Sequence, residues 1–252
     1  MSQHDLSVQL YTVRAALAED YDGTLERVAG YGFTQVEPFQ FVNFVDELRL
    51  LGKHGLSAPT AHVGLVTGDQ EEIFAVAKEL GIETVIEPHI PVERWQSEAD
   101  IVQIAGELNA AAEKAAEHGL KVGYHNHAFE LQTMIDGRHG LEILAANLAP
   151  EVGLEVDTYW AYAGGADVPA LLDRLGDRVF ALHIKDGDGS MDNKKQVAVG
   201  SGSLPVWDFI AARPDVLRVI ELDDSEGDLL EAVRDSRTYL VQGPASSVGA
   251  GA

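Results

Sequence analysis

The chain alternates, eight times over, between a short β-rich run and a longer helical pattern, and few folds accommodate that rhythm. The β-rich runs are LSVQLYT, TQVEPF, SAPTAHVGL, ETVIEPHI, KVGYHNHAFEL, VGLEVDT, VFALHIKDGD and LRVIELDD. Helical patterns follow at about 25–31, 45–54, 71–80, 99–118, 141–148, 168–175, 205–212 and 228–240. In the longest of them Ile101, Ile104, Leu108, Ala111 and Ala115 recur at helical spacing. Gly32, Gly55, Gly81, Gly119 and Gly176 stand one to three residues before the next strand, where a left-handed helix C-cap belongs. Uninterrupted βα units imply a parallel sheet, and eight of them favour one closed (β/α)8 barrel over an open doubly wound sheet. The open sheet usually carries a Gly-rich turn after its first strand, whereas this turn reads YTVRAALAED.

The 252-residue length suits such a barrel as a single domain, and 46% hydrophobic residues can fill its core. We assign the domain to residues 1–241 and read 242–252, QGPASSVGAGA, as a flexible Gly/Ser-rich tail. With 18 Lys+Arg against 41 Asp+Glu, the net charge of −23 repels phosphate backbones and anionic membrane surfaces. Neither nucleic acid nor a membrane is expected as a partner. No apolar run is long enough to span a bilayer and the N-terminus lacks a secretory pattern, so a cytoplasmic location is expected. Cysteine is absent, which restricts any metal site to nitrogen and oxygen ligands.

Such ligands end four successive strands: His125, Asp157, His183 and Glu221. Strand ends that share a direction in a parallel barrel converge on one rim. A lone histidine near a strand is commonly structural, and a lone acid at a strand end is commonly the N-cap of the next helix. The spacings of 32, 26 and 38 residues each match about one βα unit, and that regularity favours a single divalent cation bound by all four. A mixed imidazole–carboxylate set suits Mn²⁺, Co²⁺, Zn²⁺ or Fe²⁺, and a preponderance of oxygen leans toward Mn²⁺ or Mg²⁺. Mn²⁺ is the first expectation.

With SVQLYTVR, VEPF, GYHNHAFEL, EVDTYW, HIKDGD, GSG and VIELDD in order, the chain resembles the xylose-isomerase-like barrel superfamily of sugar phosphate isomerases and epimerases. That resemblance extends to about Val241 and implies a metal-dependent enzyme acting on a small sugar or polyol. In the epimerases of the group a Glu, Asp, His, Glu set holds one divalent ion and two glutamates act as acid and base. The last three map onto Asp157, His183 and Glu221. The first does not, because His125 stands at that place and Glu130 follows five residues later. Either His125 is the ligand, favoured by its place in the strand, or the loop folds back to bring Glu130 to the ion.

Other rim candidates are Glu37 as a proton-transfer acid, His62 and His89 toward substrate, and Lys185 as a partner for a substrate oxygen or for the surplus carboxylates. His127 shares a strand face with His125 and is a candidate catalytic group or a second hydrogen-bonding layer. Tyr11 and Trp160 are aromatic candidates for packing on a sugar face. The run GSGS at 200–203 could cradle a phosphate through its amides. The leading function is proton transfer beside a carbonyl, giving isomerisation or epimerisation. The alternative is dehydration or keto-glycoside cleavage, because the His-rich fifth run resembles the dehydratase and lyase-like members of the superfamily more than its epimerases. An abasic-site endonuclease is opposed by the charge, and a non-catalytic sugar-binding barrel would make the converging ligands a coincidence. The oligomeric state is open, with a homo-oligomer allowed.

Overall fold

A computed structural model of the protein describes residues 6–244. The tail beyond 244 lies outside the described residues. Seven strands form one parallel sheet: β1 (Leu6–Val8), β2 (Thr60–His62), β3 (Thr84–Glu87), β4 (Lys121–His125), β5 (Val152–Asp157), β6 (Val179–Ile184) and β7 (Leu217–Ile220). Their order is β1-β7-β6-β5-β4-β3-β2, so the first strand pairs with the last. The closed eight-stranded ladder expected from the sequence is therefore corrected. Seven strands are regular, and the ladder is open between β1 and β2.

The missing strand is TQVEPF, and its proline explains the loss. Residues 35–39 lie between the two edges through isolated bridges, Gln9 to Glu37 on one side and Gln35 to Ser57 and Phe39 to His62 on the other. Val36 donates to Ser57 O and Gln40 to His62 O, but Pro38, midway between them, has no N–H to give. A run of ladder bonds toward β2 is broken at its centre.

The helical expectations hold in most units. The helices include α1 (Tyr21–Gly30), α2 (Gln70–Leu80), α3 (Glu98–Glu117), α4 (Gly140–Asn147), α5 (Thr158–Ala163), α6 (Val168–Leu175), α7 (Val206–Ala212) and α8 (Leu229–Gln242), of which α5 was not expected from the sequence. The continuous helix expected over 45–54 is instead one turn, Val45–Leu48, followed by a 3₁₀ segment, Leu51–His54. Helices α1, α2, α3, α6 and α8 each start on a side chain that accepts from their free amides: Asp20 for α1, Asp69 for α2, Ser97 for α3, Asp167 for α6 and Asp228 for α8. In α3, Ile101, Ile104, Leu108, Ala111 and Ala115 are all buried, as their spacing requires.

The N-terminal ends of the strands are closed by packing. Leu154 pairs with Val179 and Glu155 with Ala181, so Phe180 is an extra residue, a bulge. A Cβ on Gly153 would stand 2.5 Å from the Phe180 ring and one on Gly123 2.9 Å from it. The two glycines leave the space that this ring fills. At the other end, the C-terminal ends of the same strands carry polar side chains.

Candidate active site

Alternation along each strand places the functional side chains. In β5, Glu155 and Asp157 share a face; in β4, His125 lies beside Glu155, and in β6, His183 lies beside Asp157. Glu221 follows the last residue of β7. All of these side chains are buried. The four strand-end residues expected from the sequence, His125, Asp157, His183 and Glu221, do come together, with one ligand atom from each lying within 4.8 Å of the others.

Asp157 answers to both readings of a strand-end acid. Its Oδ1 accepts from Trp160 N at 2.8 Å and caps α5, while Oδ2 accepts no hydrogen bond and faces the Lys185 ammonium at 2.9 Å. Lys185 Nζ also lies 2.8 Å from Glu221 and 2.7 Å from Asp223. Burial works against its charge, but the three carboxylates outweigh it and hold the ammonium well above its ordinary pKa. The sequence left Lys185 between substrate and surplus carboxylates; the structure seats it on the carboxylates. Glu221 is likewise disfavoured by burial and yet held well below the ordinary carboxylate range by Lys185 and His183, whose Nδ1 lies 2.7 Å away.

A second group of possible ligands lies one pleat further from the rim: His62, His125, Glu155 and His183. Glu155 was not singled out from the sequence, although it precedes Asp157 by two and so shares its face. The same parity argument that linked His125 with His127 would have found it. Glu37 is fully buried beside this group rather than on the rim. Its carboxylate accepts from Gln9 Nε2 at 2.8 Å and from Thr60, and meets His62 and His183. Burial raises its pKa, but the two imidazoles prevail and hold it well below the ordinary range.

Glu130 does not reach either group. Its Oε1 accepts from the Tyr124 hydroxyl at 2.7 Å and its Oε2 from His127 N at 2.9 Å, and burial pushes its pKa up to about 8. His125 thus lies among the residues close enough to share an ion, whereas Glu130 is hydrogen-bonded to Tyr124 and to the loop that follows His125.

Above these groups opens a cavity of about 380 Å³. Tyr11, Phe39, His62, His89, His125 and His127 line it, with Glu221 and Asp223 at its base. Tyr11 packs edge-on against Phe39 at 5.4 Å, giving a small apolar wall. Burial, followed by Lys185 and His89, lowers His127 to about 4, so its imidazole is neutral, and its Nδ1 has no hydrogen-bond partner. Trp160 is buried 5.6 Å from Lys185 Nζ and is not part of the lining. Glu87, also missed from the sequence, accepts from Leu65, Val66 and His89 amides and fixes the loops around the mouth.

The phosphate cradle expected at 200–203 holds something else. The buried Asp186 carboxylate accepts from the amides of Gly187, Gly200, Gly202 and Leu204, at 2.8, 2.9, 3.1 and 3.1 Å. The anion in this nest belongs to the chain itself. A Cβ on Gly202 would lie 2.2 Å from that carboxylate, so only glycine allows the approach.

The model of the xylose isomerase-like TIM barrel family matches residues 25–213. An inosose dehydratase of Lactiplantibacillus plantarum is 29% identical over 177 residues, 62% of this chain, and the match spans only 56% of that relative's length. A sugar phosphate isomerase/epimerase from Parabacteroides distasonis superposes with a TM-score of 0.81 at 22% identity, covering 97% of this chain and 96% of the other. An IOLI protein with a bound zinc atom gives 0.70 at 16% identity, over 94% and 97% of the two chains. Among the described residues no helix is long and apolar enough to cross a membrane.

Proposed function

Since the chain belongs to the xylose isomerase-like TIM barrel family, we propose that it is a metal-dependent enzyme that moves a proton on the carbon beside a carbonyl of a small sugar or polyol. The observation that carries this reading is a cavity lined by His125 and Glu221, whose ligand atoms lie within 4.8 Å of those of the buried Asp157 and His183. His125, Asp157, His183 and Glu221 would hold the ion. The fit rests on their spacing and on Asp157 Oδ2, a buried carboxylate oxygen that faces the Lys185 ammonium at 2.9 Å rather than a backbone amide. A divalent ion there supplies Lewis acidity toward substrate oxygens, and Mn²⁺ is the first candidate for an oxygen-rich set.

The chain's own groups supply the rest. Lys185 keeps Glu221 ionised and fixes its position, so Glu221 can accept the proton removed from carbon. His127, neutral and with Nδ1 unoccupied, is placed to bond a substrate hydroxyl or to carry a proton on the other side of the cavity. Tyr11 and Phe39 offer an apolar face for the carbon side of a sugar ring, and His62 and His89 offer polar contacts. Return of the proton to carbon gives isomerisation or epimerisation. A second reading, loss of a β-leaving group as in a dehydratase or keto-glycoside lyase, is favoured by the similarity to inosose dehydratase.

Incubation with ketoses, inososes and 3-keto-glycosides in D₂O tests the proposal. Metal-dependent turnover with exchange or loss of the hydrogen beside the carbonyl is expected. Turnover that survives removal of metal, or that fully retains the substrate's own hydrogen, excludes it.

A further inference from the structure

The two ligand groups share His125 and His183 but use opposite sides of their rings. Toward the rim, His183 Nδ1 meets Glu221 at 2.7 Å and His125 Nε2 faces Asp157 at 3.9 Å. Away from the rim, His125 Nδ1 and His183 Nε2 converge on Glu155 Oε2, at 3.2 and 3.0 Å, and His62 Nε2 reaches the same oxygen at 2.6 Å. Glu37 Oε1 is a fifth donor, 3.1 Å from His62 Nε2 and 2.8 Å from His183 Nε2. We propose that His62, His125, Glu155 and His183, with Glu37 beside them, form a second seat for a divalent cation, able to hold the ion without Asp157 or Glu221.

Donor spacing is the first argument. One ligand atom from each of His62, His125, Glu155 and His183 lies within 4.8 Å of the others, close enough for all four to share one ion. The second is charge. Glu37 and Glu155 place two carboxylates in a dry interior against the charged rings of His62 and His183, and one divalent ion replaces the two protons those rings release on binding it. The rim carboxylates, by contrast, already have the Lys185 ammonium among them. The third is an orphan: Glu155 is fully buried and its Oε1 has no hydrogen-bond partner. His62 and His125 also line the cavity, which gives the ion a route in and a side open to ligand.

The deeper seat offers three nitrogens against two oxygens, and that balance selects Zn²⁺ or Co²⁺ over Mg²⁺. Filling both seats at once would require both nitrogens of His125 and of His183 to bind metal, so the chain holds one ion at a time. This inference rests on the reading that the barrel is metal-dependent, and one experiment separates the two.

The chain is stripped of metal, titrated with Co²⁺ and analysed for bound cobalt after desalting, with circular dichroism melting as the check on folding. Wild type should bind about one ion per chain. Asp157→Asn/Glu221→Gln should still bind Co²⁺, and adding His62→Ala or Glu155→Gln to that background should weaken binding at least about tenfold. If the double variant does not fold, Glu221→Gln alone, which leaves the Asp157 helix cap in place, serves as the background. A folded rim variant that binds no cobalt, or one that His62→Ala leaves unchanged, overturns the second seat and makes the deeper group a hydrogen-bonded network. Wild type that binds none overturns the metal-dependent function as well.

Discussion

Asp157 and Asp186 are both buried acids at the ends of adjacent barrel strands, yet their surroundings are opposite. Asp186 accepts four backbone amides, so its carboxylate is complete and the loop around it is closed to any other anion. Asp157 gives one oxygen to a helix cap and leaves the other without a hydrogen bond, beside an ammonium and two imidazoles. Burial is the same in both places. What separates the two acids is the kind of partner: fixed backbone amides complete Asp186, whereas Asp157 Oδ2 faces the side-chain charge of Lys185 and His125.

The largest expected effect falls on catalysis. Glu221→Gln should lower the turnover rate by about 10²–10⁴-fold, the usual worth of a general acid–base group, measured by steady-state kinetics on whichever panel substrate is active. An unchanged rate would remove Glu221 from the chemistry. His183→Ala takes a donor from both seats, so bound metal in the purified protein should drop below one tenth of the wild-type content; full retention in elemental analysis would show that neither seat is real.

Asp186→Ala should act in the other direction of the comparison. It leaves buried amides without acceptors and should cost about 2–4 kcal/mol in urea unfolding, while metal content per folded chain stays at the wild-type value. A variant that kept its stability but lost its metal would reverse the assignment of the two acids. The smallest effect is a pH dependence. Glu130 is raised to about 8 in the folded chain, so its contribution to stability is complete below the unfolded pKa near 4.5 and is lost as pH rises toward 8. Glu130→Gln should therefore flatten the decline in melting temperature between those limits. A slope identical to wild type would mean that Glu130 is ionised throughout.

The repeating βα order, the helix positions and the convergence of His125, Asp157, His183 and Glu221 could all be read in the sequence, because each follows from local periodicity or from strand direction. TQVEPF reads as a strand by composition, and only the donor that Pro38 lacks makes it a set of bridges. Glu37 reads as a rim acid because it ends that run, but its partners Gln9, Thr60, His62 and His183 come from three other strand units, so no local pattern reveals its depth. The GSGS loop reads as an anion cradle correctly. The anion, Asp186, lies fourteen residues upstream of Gly200, and a sequence pattern does not say which of several nearby acids turns inward.

The pairing of β1 with β7 also governs the order in which a ribosome can deliver this molecule. Among the described residues, Leu6–Val8 has its one regular ladder partner in Leu217–Ile220. At about 5–20 residues per second, roughly 10–40 s pass between the emergence of the two. During that interval the first strand has nothing to lie against but the bridges of residues 35–39, and the apolar edge of β6 waits beside it. Truncated or stalled chains that end before Leu217 would expose both edges, which makes the last βα unit the step that separates a soluble product from one that recruits chaperones or aggregates.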